Sequence, residues 1–142
     1  MNNVVITGCF DIIHVGHTRL ISFGRKLLRG DSSKLIILLD SDRRIKEKKG
    51  EERPINKFED RREIMYALVR STNHDIIKID SDRELVSELS RYNKNHIRIC
   101  GEEYKNKEVI GKIYAAGVVY FNQQENYSTT NIINHAYRIG RS

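Results

Sequence analysis

Two histidines at a glycine-containing turn carry the strongest chemical signal in the chain. His14 and His17 stand three positions apart, after an apolar run at residues 4–6 and next to an amphipathic segment at residues 18–28. These patterns predict a strand, a tight turn and a helix. An imidazole can donate a hydrogen bond to an anion, and the free N–H groups of a turn and a helix start attract phosphate. The stretch therefore predicts a phosphate-binding site.

The two histidines have other interpretations. Histidines are often solvated surface residues, and the spacing of this pair could also suit a metal ion. Cys9 and Asp11 lie close in sequence, but they fall on the turn itself, and no cysteine or carboxylate cluster nearby completes a site with the usual ligand spacing. Phosphate binding is favoured because the glycine turn, both histidines and the helix start converge on one point.

A run of three hydroxyl residues towards the C-terminus gives the second signal. Ser128, Thr129 and Thr130 precede an apolar-periodic segment, which predicts a helix over residues 128–138. One hydroxyl is enough to cap a helix. Three hydroxyls, together with the free N–H groups of the first turn, could hold a second phosphate.

Basic residues cluster in a polar segment, residues 43–56, that contains the only proline of the chain. On composition alone this segment is a solvated charge run. It predicts a loop that could begin with a short helix. A flexible loop of cations could close over a triphosphate and exclude water. Its cations include Lys46, Lys48, Lys49 and Arg53.

Strand-like and helix-like segments alternate along the whole chain. Strands are predicted at residues 4–7, 34–39, 75–79, 96–100 and 117–121. Helices are predicted at residues 18–28, 58–69, 82–92 and 128–138, with a second loop at 102–111. This alternation predicts a single α/β domain over residues 1–142, a Rossmann-like doubly wound fold with a five-stranded parallel sheet. Such sheets bind ligands beyond the carboxyl ends of their strands, where the polar clusters fall.

Composition excludes several classes of protein. The 142 residues carry a net charge of +6, with 39% hydrophobic and 31% charged residues, and no apolar run approaches the length of a membrane span. The G-x-G-x-x-G and Walker A fingerprints are absent. The basic residues are scattered, with no aromatic-rich strand beside them, so we expect no nucleic-acid partner. The two cysteines and the absence of a signal peptide predict a cytoplasmic protein with free thiols.

The motifs near both ends of the chain resemble those of one family. Residues 7–17, TGCFDIIHVGH, resemble the HxGH signature of the cytidylyltransferase-like nucleotidyltransferases, and residues 128–133, STTNII, are similar to their closing motif. This family transfers a nucleoside monophosphate from a nucleoside triphosphate to a phosphorylated substrate and releases pyrophosphate. The resemblance implies a nucleoside triphosphate and a phosphorylated small-molecule acceptor as ligands, Mg²⁺ bound mainly through the triphosphate and, by analogy, a homodimer.

The resemblance also implies roles for individual residues. The catalytic group would be His14, His17 and Lys49. The nucleotide would contact Thr7, Gly8, Cys9, Phe10, Asp11, Gly16, Arg61, Gly101, Tyr104, Ser128, Thr129 and Thr130. The acceptor would contact Lys46 and Arg53, and no metal ligand is assigned.

Two branches of the family compete as the nearer resemblance. The heptose-1-phosphate adenylyltransferase branch uses ATP, and glycerol-3-phosphate cytidylyltransferase uses CTP. The turn at residues 8–11, the segment Arg-Pro-Ile-Asn at 53–56 and the closing motif favour the sugar branch. Glu51 and the cation-free residues 122–126 stand where the glycerol group carries a lysine and an arginine, which weakens the CTP assignment. A nucleotide-binding module that has lost catalysis is the alternative from a different functional class.

Overall fold

Five parallel strands form one sheet. The computed structural model describes residues 2–122 and 128–141. The strands are β1 (Asn3–Gly8), β2 (Leu35–Asp40), β3 (His74–Ile79), β4 (His96–Gly101) and β5 (Gly117–Phe121). Their order in the sheet is β3-β2-β1-β4-β5. The predicted Rossmann-like, doubly wound fold with a five-stranded parallel sheet is therefore confirmed.

Helices connect the strands and cover both faces of the sheet. They are α1 (Val15–Leu27), α2 (Asp42–Lys49), α3 (Phe58–Val69), α4 (Asp82–Arg91) and α5 (Thr129–Arg141). Two 3₁₀ helices, Glu102–Tyr104 and Lys112–Tyr114, lie between β4 and β5. α1 begins at Val15 rather than at residue 18, because the side chain of His14 caps its first turn.

The basic segment after β2 is more helical than the sequence predicts. α2 begins after Ser41, whose hydroxyl accepts a hydrogen bond from the backbone N–H of Arg44, and it ends at Gly50, where φ is 102°. Its one apolar residue, Ile45, is buried. A helix with a single apolar residue has almost no periodic signal, and that explains why the sequence predicts a loop here. An irregular loop does follow, at residues 50–57.

Two apolar cores lie on opposite faces of the sheet. Val4 and Ile6 of β1 belong to the core beneath α1 and α3, whereas Val5 belongs to the core beneath α4. β2 is buried on both faces, as its unbroken apolar sequence requires. Alternate residues of a strand point to opposite faces, so the position of a polar side chain in a strand decides which face it reaches.

The strand order creates a crevice at the carboxyl ends of β1 and β4. The chain runs from β1 to β2 on one side and later returns to β4 on the other side, so that Ile6 pairs with both Ile37 and Ile99. Open parallel sheets bind ligands at such a switch point. The histidine turn follows β1 directly and therefore lies at this crevice.

The described residues bear on three further predictions. Cys9 and Cys100 have free thiols, as expected. Within the described part of the chain, no helix has the length and apolar character needed to cross a bilayer. The assignment of all residues 1–142 to a single domain stays a prediction.

Candidate active site

A cavity of about 430 Å³ opens at the carboxyl ends of β1 and β4. It lies at the switch point, where α/β sheets bind ligands. The structure thus brings the first turn, the end of α2 and the end of β4 to one place. Nine residues predicted to bind nucleotide or to take part in catalysis line it: Thr7, Gly8, Cys9, Phe10, Gly16, His17, Lys49, Gly101 and Tyr104.

The two histidines form a reciprocal cap at the start of α1. Nδ1 of His14 accepts a hydrogen bond from the backbone N–H of Gly16 at 3.1 Å, and Nδ1 of His17 accepts one from the backbone N–H of His14 at 3.2 Å. The rings stack, with their centroids 3.8 Å apart and their planes inclined by 28°. Because each Nδ1 is an acceptor, each neutral ring carries its proton on Nε2. No hydrogen bond among the described residues uses either Nε2–H group, and of the two histidines His17 lines the cavity, whereas His14 does not.

Burial keeps both imidazoles neutral at physiological pH. The pKa of His17 is lowered to about 4, mainly by burial and further by the charges of His14 and Lys49. Burial lowers the pKa of His14 as well. A neutral imidazole with its proton on Nε2 can donate to a phosphate oxygen without first gaining a proton.

Phe10 shapes the turn before the histidines. Its backbone lies in the left-handed region, with φ of 44°, a conformation that costs a non-glycine residue about 1–2 kcal/mol. Its side chain is buried, and its ring centroid lies 5.0 Å from that of His17. Burial of a phenylalanine side chain contributes about 1.5–3 kcal/mol, which offsets the backbone cost. Gly8 allows this packing, because a Cβ at that position would lie 3.0 Å from the Phe10 ring.

Asp11 fastens the turn to the loop that follows α2. Its side chain is fully buried, and its carboxylate accepts hydrogen bonds from the backbone N–H groups of Ile55 and Asn56, both at 2.8 Å. It also pairs with Nε of Arg53 at 3.1 Å. Both side chains therefore position the loop. The contacts of Asp11 with nucleotide and of Arg53 with acceptor stay predictions.

Arg61 ties the ends of β1 and β2 together. Its side chain is fully buried, and its Nη1 donates to the carbonyl oxygens of Cys9 at 2.7 Å and Asp40 at 2.8 Å. Its Nη2 pairs with the carboxylate of Asp42 at 2.7 Å. This network gives Arg61 a positioning role behind the cavity, and its direct contact with nucleotide stays a prediction.

The lysines of α2 divide into two groups. Lys48 and Lys49 line the cavity, and Nζ of Lys49 lies 3.4 Å from Sγ of Cys9. Nζ of Lys46 instead lies within 3.4 Å of two carbonyl oxygens of the following loop. Lys49 is therefore at the cavity, whereas Lys46 does not line it, and the acceptor contact of Lys46 stays a prediction.

The hydroxyl motif at the start of α5 meets the histidine turn. Oγ of Ser128 accepts a hydrogen bond at 3.0 Å from the backbone N–H three residues ahead, as an ordinary helix cap does. Oγ1 of the buried Thr129 donates to the carbonyl oxygen of Ile12 at 3.1 Å, and Thr130 is exposed. The two predicted phosphate-binding motifs are therefore neighbours. Residues 123–126 of the cation-free stretch that weakens the CTP assignment lie outside the described residues.

Six charged side chains line the cavity without a role assigned from the sequence. They are Asp40, Arg44, Lys48, Arg98, Glu103 and Glu108. The Glu103 carboxylate lies so close to Gly101 that a Cβ there would overlap it. Arg98 is buried within β4. A polar residue between two isoleucines in a predicted strand ordinarily faces solvent, so the sequence gives no signal that Arg98 is buried.

The spacing of these motifs is found across one protein family. A model of the cytidylyltransferase-like family matches residues 5–135, a span that includes both the histidine turn and the hydroxyl motif. The chain belongs to the cytidylyltransferase-like family. The resemblance drawn from the motifs is thereby confirmed, and the protein is a nucleotidyltransferase.

Relatives of this nucleotidyltransferase cover nearly all of its chain. It is 39% identical over 135 residues to the bifunctional protein HldE of Helicobacter hepaticus, an alignment that covers 95% of this chain and 26% of that protein. It is 36% identical to the HldE proteins of Campylobacter fetus, over 131 residues, and Proteus mirabilis, over 135 residues, each time covering 92% of this chain and 27% of the relative. The chain thus spans about a quarter of the length of the curated relatives it matches.

The site of the nucleotidyltransferase is built to stabilise negative charge. Two neutral imidazoles, one of them in the cavity wall, and two lysines meet there with the start of a helix. Donors that are already in place lower a barrier when charge grows on phosphoryl oxygens, because they need no reorganisation as the reaction proceeds.

Proposed function

We propose that this nucleotidyltransferase transfers AMP from ATP to a sugar phosphate of the heptose-1-phosphate type and releases pyrophosphate. A phosphate oxygen of the acceptor attacks the α-phosphorus, and the bond from that phosphorus to the oxygen bridging to the β-phosphate breaks. The observation that carries the proposal is the pair of neutral imidazoles, His14 and His17, held as Nε2–H donors at the switch point of the sheet.

The histidines would act on the reacting phosphate. Both would donate from Nε2 to oxygens of the α-phosphate and to the bridging oxygen, where negative charge grows during the reaction. The acceptor phosphate is already ionised near neutral pH, so the reaction needs no strong general base. Rate enhancement would come from positioning and from electrostatic stabilisation.

Cations and hydroxyls would hold the remaining phosphates. Lys49, which lies at the cavity beside Cys9, would bind the triphosphate or the acceptor phosphate. At the start of α5, the hydroxyls of Ser128 and Thr130 and the backbone N–H of Thr129 would hold the β- and γ-phosphates, together with the other free N–H groups of that helix. Thr129 supports this assignment, because its bond to Ile12 brings the helix start to the histidine turn.

Mg²⁺ is proposed to enter with the triphosphate. No group of three or more His, Cys, Asp or Glu side chains that could hold a metal ion occurs among residues 2–122 and 128–141. The carboxylate of Asp11 is already occupied by Arg53 and two backbone N–H groups. Mg²⁺ would therefore be held mainly by phosphate oxygens and water rather than by protein side chains. When bound, the cation would neutralise part of the phosphate charge.

Three features support ATP and a sugar phosphate over CTP and glycerol-3-phosphate. The segment at residues 53–56, which resembles the sugar branch, is bound to the histidine turn through Asp11. The relatives at 34–39% identity are bifunctional HldE proteins. The exposed Glu51 stands where the glycerol group has a second loop lysine.

Pyrophosphate release tests the proposal directly. ATP and CTP would each be combined, with Mg²⁺, with heptose-1-phosphate, other sugar-1-phosphates and glycerol-3-phosphate. Turnover is expected with ATP and a sugar phosphate. Turnover with CTP alone would assign the protein to the glycerol-phosphate branch. Nucleotide binding without pyrophosphate release from any pair would overturn the proposed reaction and favour a binding module.

A further inference from the structure

Arg98 is a buried cation without a counter-charge. Its side chain lies in β4, the residue is 4% exposed, and Nη1 donates to the carbonyl oxygen of Ile110 at 3.0 Å. Its Nε is buried and has no hydrogen-bond partner. Burial also lowers the pKa of Arg98. A buried guanidinium is unfavourable unless an anion compensates it.

The other buried arginines show what Arg98 lacks. Arg44 pairs with the carboxylates of Asp40 at 3.0 Å and Asp82 at 2.9 Å. Arg61 pairs with a carboxylate as well. Within the described part of the chain, no carboxylate lies within ion-pairing distance of Arg98, although Glu103 and Glu108 line the same cavity. The counter-charge of Arg98 is therefore missing from the described protein groups, and a ligand could supply it.

Register places Arg98 on the opposite face of the sheet from the histidines. It lies beside Val5 of β1, which belongs to the core beneath α4. The histidines begin α1, which packs on the other face. The cavity is lined by Arg98 and also by Leu38 and Leu85, which belong to the core on the α4 face. It therefore extends around the carboxyl edge of the sheet to both faces. It therefore has a histidine end and an Arg98 end.

We propose that Arg98 binds the anionic group of the acceptor, at an acceptor subsite on the α4 face of the sheet. This inference rests on the proposed function and extends it. The phosphates of the nucleotide would lie at the histidine end, because Thr129 brings the start of α5 to the histidine turn. Attacking and leaving oxygens lie roughly in line in phosphoryl transfer, so the acceptor must approach from the side away from the pyrophosphate. The Arg98 end of the cavity meets this requirement.

The chemistry of the guanidinium defines the class of ligand. Nη1 donates to the Ile110 carbonyl, whereas the buried Nε has no partner, so the guanidinium still has a donor to offer an anion. A planar guanidinium edge binds phosphate or carboxylate oxygens in a bidentate manner, which an ammonium group cannot reproduce. We expect a phosphate monoester, because the proposed acceptor is a sugar phosphate.

The test measures acceptor binding separately from turnover. The enzyme is first saturated with Mg²⁺ and α,β-methylene-ATP, which cannot release pyrophosphate and which fills the histidine end. Inorganic phosphate and heptose-1-phosphate are then titrated calorimetrically into wild type, Arg98→Met and Arg98→Lys. Affinity for both anions is expected to fall about 10- to 100-fold in Arg98→Met, the loss typical of a hydrogen-bonded charge. Arg98→Lys should recover only part of it, and affinity for the ATP analogue should not change.

Controls separate binding from folding. Arg91→Met removes an exposed arginine that pairs with Glu88, and it should bind both anions as wild type does. Arg98→Met without ligand should melt at or above the wild-type temperature, because the substitution removes an uncompensated buried charge. A lower melting temperature with unchanged phosphate affinity would show that Arg98 serves the fold alone and would overturn the subsite.

The outcomes distinguish this inference from the proposed function. If no substrate pair turns over but the nucleotide-loaded enzyme binds phosphate through Arg98, the proposed reaction is wrong and the anion subsite stands. If Arg98→Met transfers AMP with an unchanged KM for the acceptor, the subsite is overturned and the reaction stands. Absence of phosphate binding to the nucleotide-loaded wild type would also overturn the subsite.

Discussion

His14 and His17 are organised by the backbone before any ligand binds. Each ring accepts a backbone hydrogen bond at the start of α1 through Nδ1, which leaves Nε2 as the proton-bearing nitrogen. The same backbone bonds thus set the tautomer and cap the helix. Because His17→Ala removes both contributions, activity and stability must be measured separately.

The first prediction concerns His17 as a phosphate-binding donor. His17→Ala should lower kcat about 10²–10³-fold, since removal of one donor to developing charge costs about 2.7–4 kcal/mol. Pyrophosphate release measures this effect. His17→Gln can still cap the helix and should therefore regain stability without regaining the wild-type rate. The control is His135→Ala, at an exposed position in α5, which should keep the wild-type rate. If His135→Ala and His17→Ala had equal rates, His17 would not be a specific phosphate-binding donor.

The second prediction concerns the pH dependence of stability without ligand. The pKa of His17 is about 4 in the folded protein and about 6.5 in an unfolded chain. Between pH 4 and pH 6.5 the unfolded state binds more protons than the folded state does. The free energy of unfolding is therefore highest above about pH 6.5 and falls as the pH falls towards 4. Urea unfolding at pH 7 and pH 5 should show this loss. In His17→Gln the free energy of unfolding should fall less between pH 7 and pH 5 than it does in wild type. An equal fall in the two proteins would assign the effect to other groups. These include His14 and His96, whose pKa values are also lowered by burial.

At the scale of elements, the loop after α2 is joined to the turn after β1. The join consists of the Asp11 carboxylate, two backbone N–H groups of the loop and the side chain of Arg53. α2 precedes this loop and carries Lys48 and Lys49 to the cavity. The position of these lysines therefore depends on a buried ion pair as well as on the helix itself.

The third prediction concerns that ion pair. Asp11→Asn should lower the free energy of unfolding by about 3–5 kcal/mol, because it leaves the Arg53 cation without its counter-charge. The matched control is Asp75→Asn, which breaks a pair with Lys34 whose side chains are 38% and 42% exposed, and which should cost about 0–1 kcal/mol. Urea unfolding of both variants checks the difference. Equal costs would show that the buried pair does not hold the loop.

At the scale of the whole molecule, one hydrogen bond joins residues far apart in the chain. Oγ1 of Thr129 donates to the carbonyl oxygen of Ile12, and the two residues are 117 positions apart. Thr130 is the next residue in the chain, but it is exposed, whereas Thr129 is buried. Two adjacent threonines therefore differ in what they are expected to do.

The fourth prediction separates these two threonines. Thr129→Val leaves the half-buried Ile12 carbonyl without its partner and should lower the free energy of unfolding by about 1–3 kcal/mol. Hydrogen exchange in α5 should become faster, and Thr129→Ser should restore it. Thr130→Val should leave stability unchanged and raise the KM for ATP. A reversed pattern would mean that Thr130 joins the two motifs and that Thr129 faces the nucleotide.

Local signals explain how much of the fold and site the sequence predicts. The strand, turn and helix around His14 are readable because their patterns extend over a few neighbouring residues. α2 is predicted only as a short helix that could begin a loop, because Ile45 is its only apolar residue and its stability comes from the Ser41 cap and from ion pairs of Arg44. Those ion pairs depend on the packing of other elements, which no local pattern reveals.

Arg61 and Arg98 show a second limit of sequence analysis. An arginine in a helix or strand is exposed in most proteins, and composition gives no reason to expect otherwise. Arg98 is buried because β4 lies between β1 and β5, an arrangement set by strand order rather than by neighbouring residues. Arg61 is buried because it bonds to Cys9 and Asp40, at the ends of two other strands.

The bond between Thr129 and Ile12 also bears on the order of events during synthesis. Ile12 is synthesised before β2 to β5, and Thr129 follows only after all five strands have been made. Contacts between neighbouring elements can form first, whereas closing a loop of this length carries an entropic cost and must wait for its far end. A nascent chain can therefore complete its sheet and its histidine turn while the hydroxyl end of α5 is still absent. The phosphate-binding surface is then assembled only after the sheet is complete.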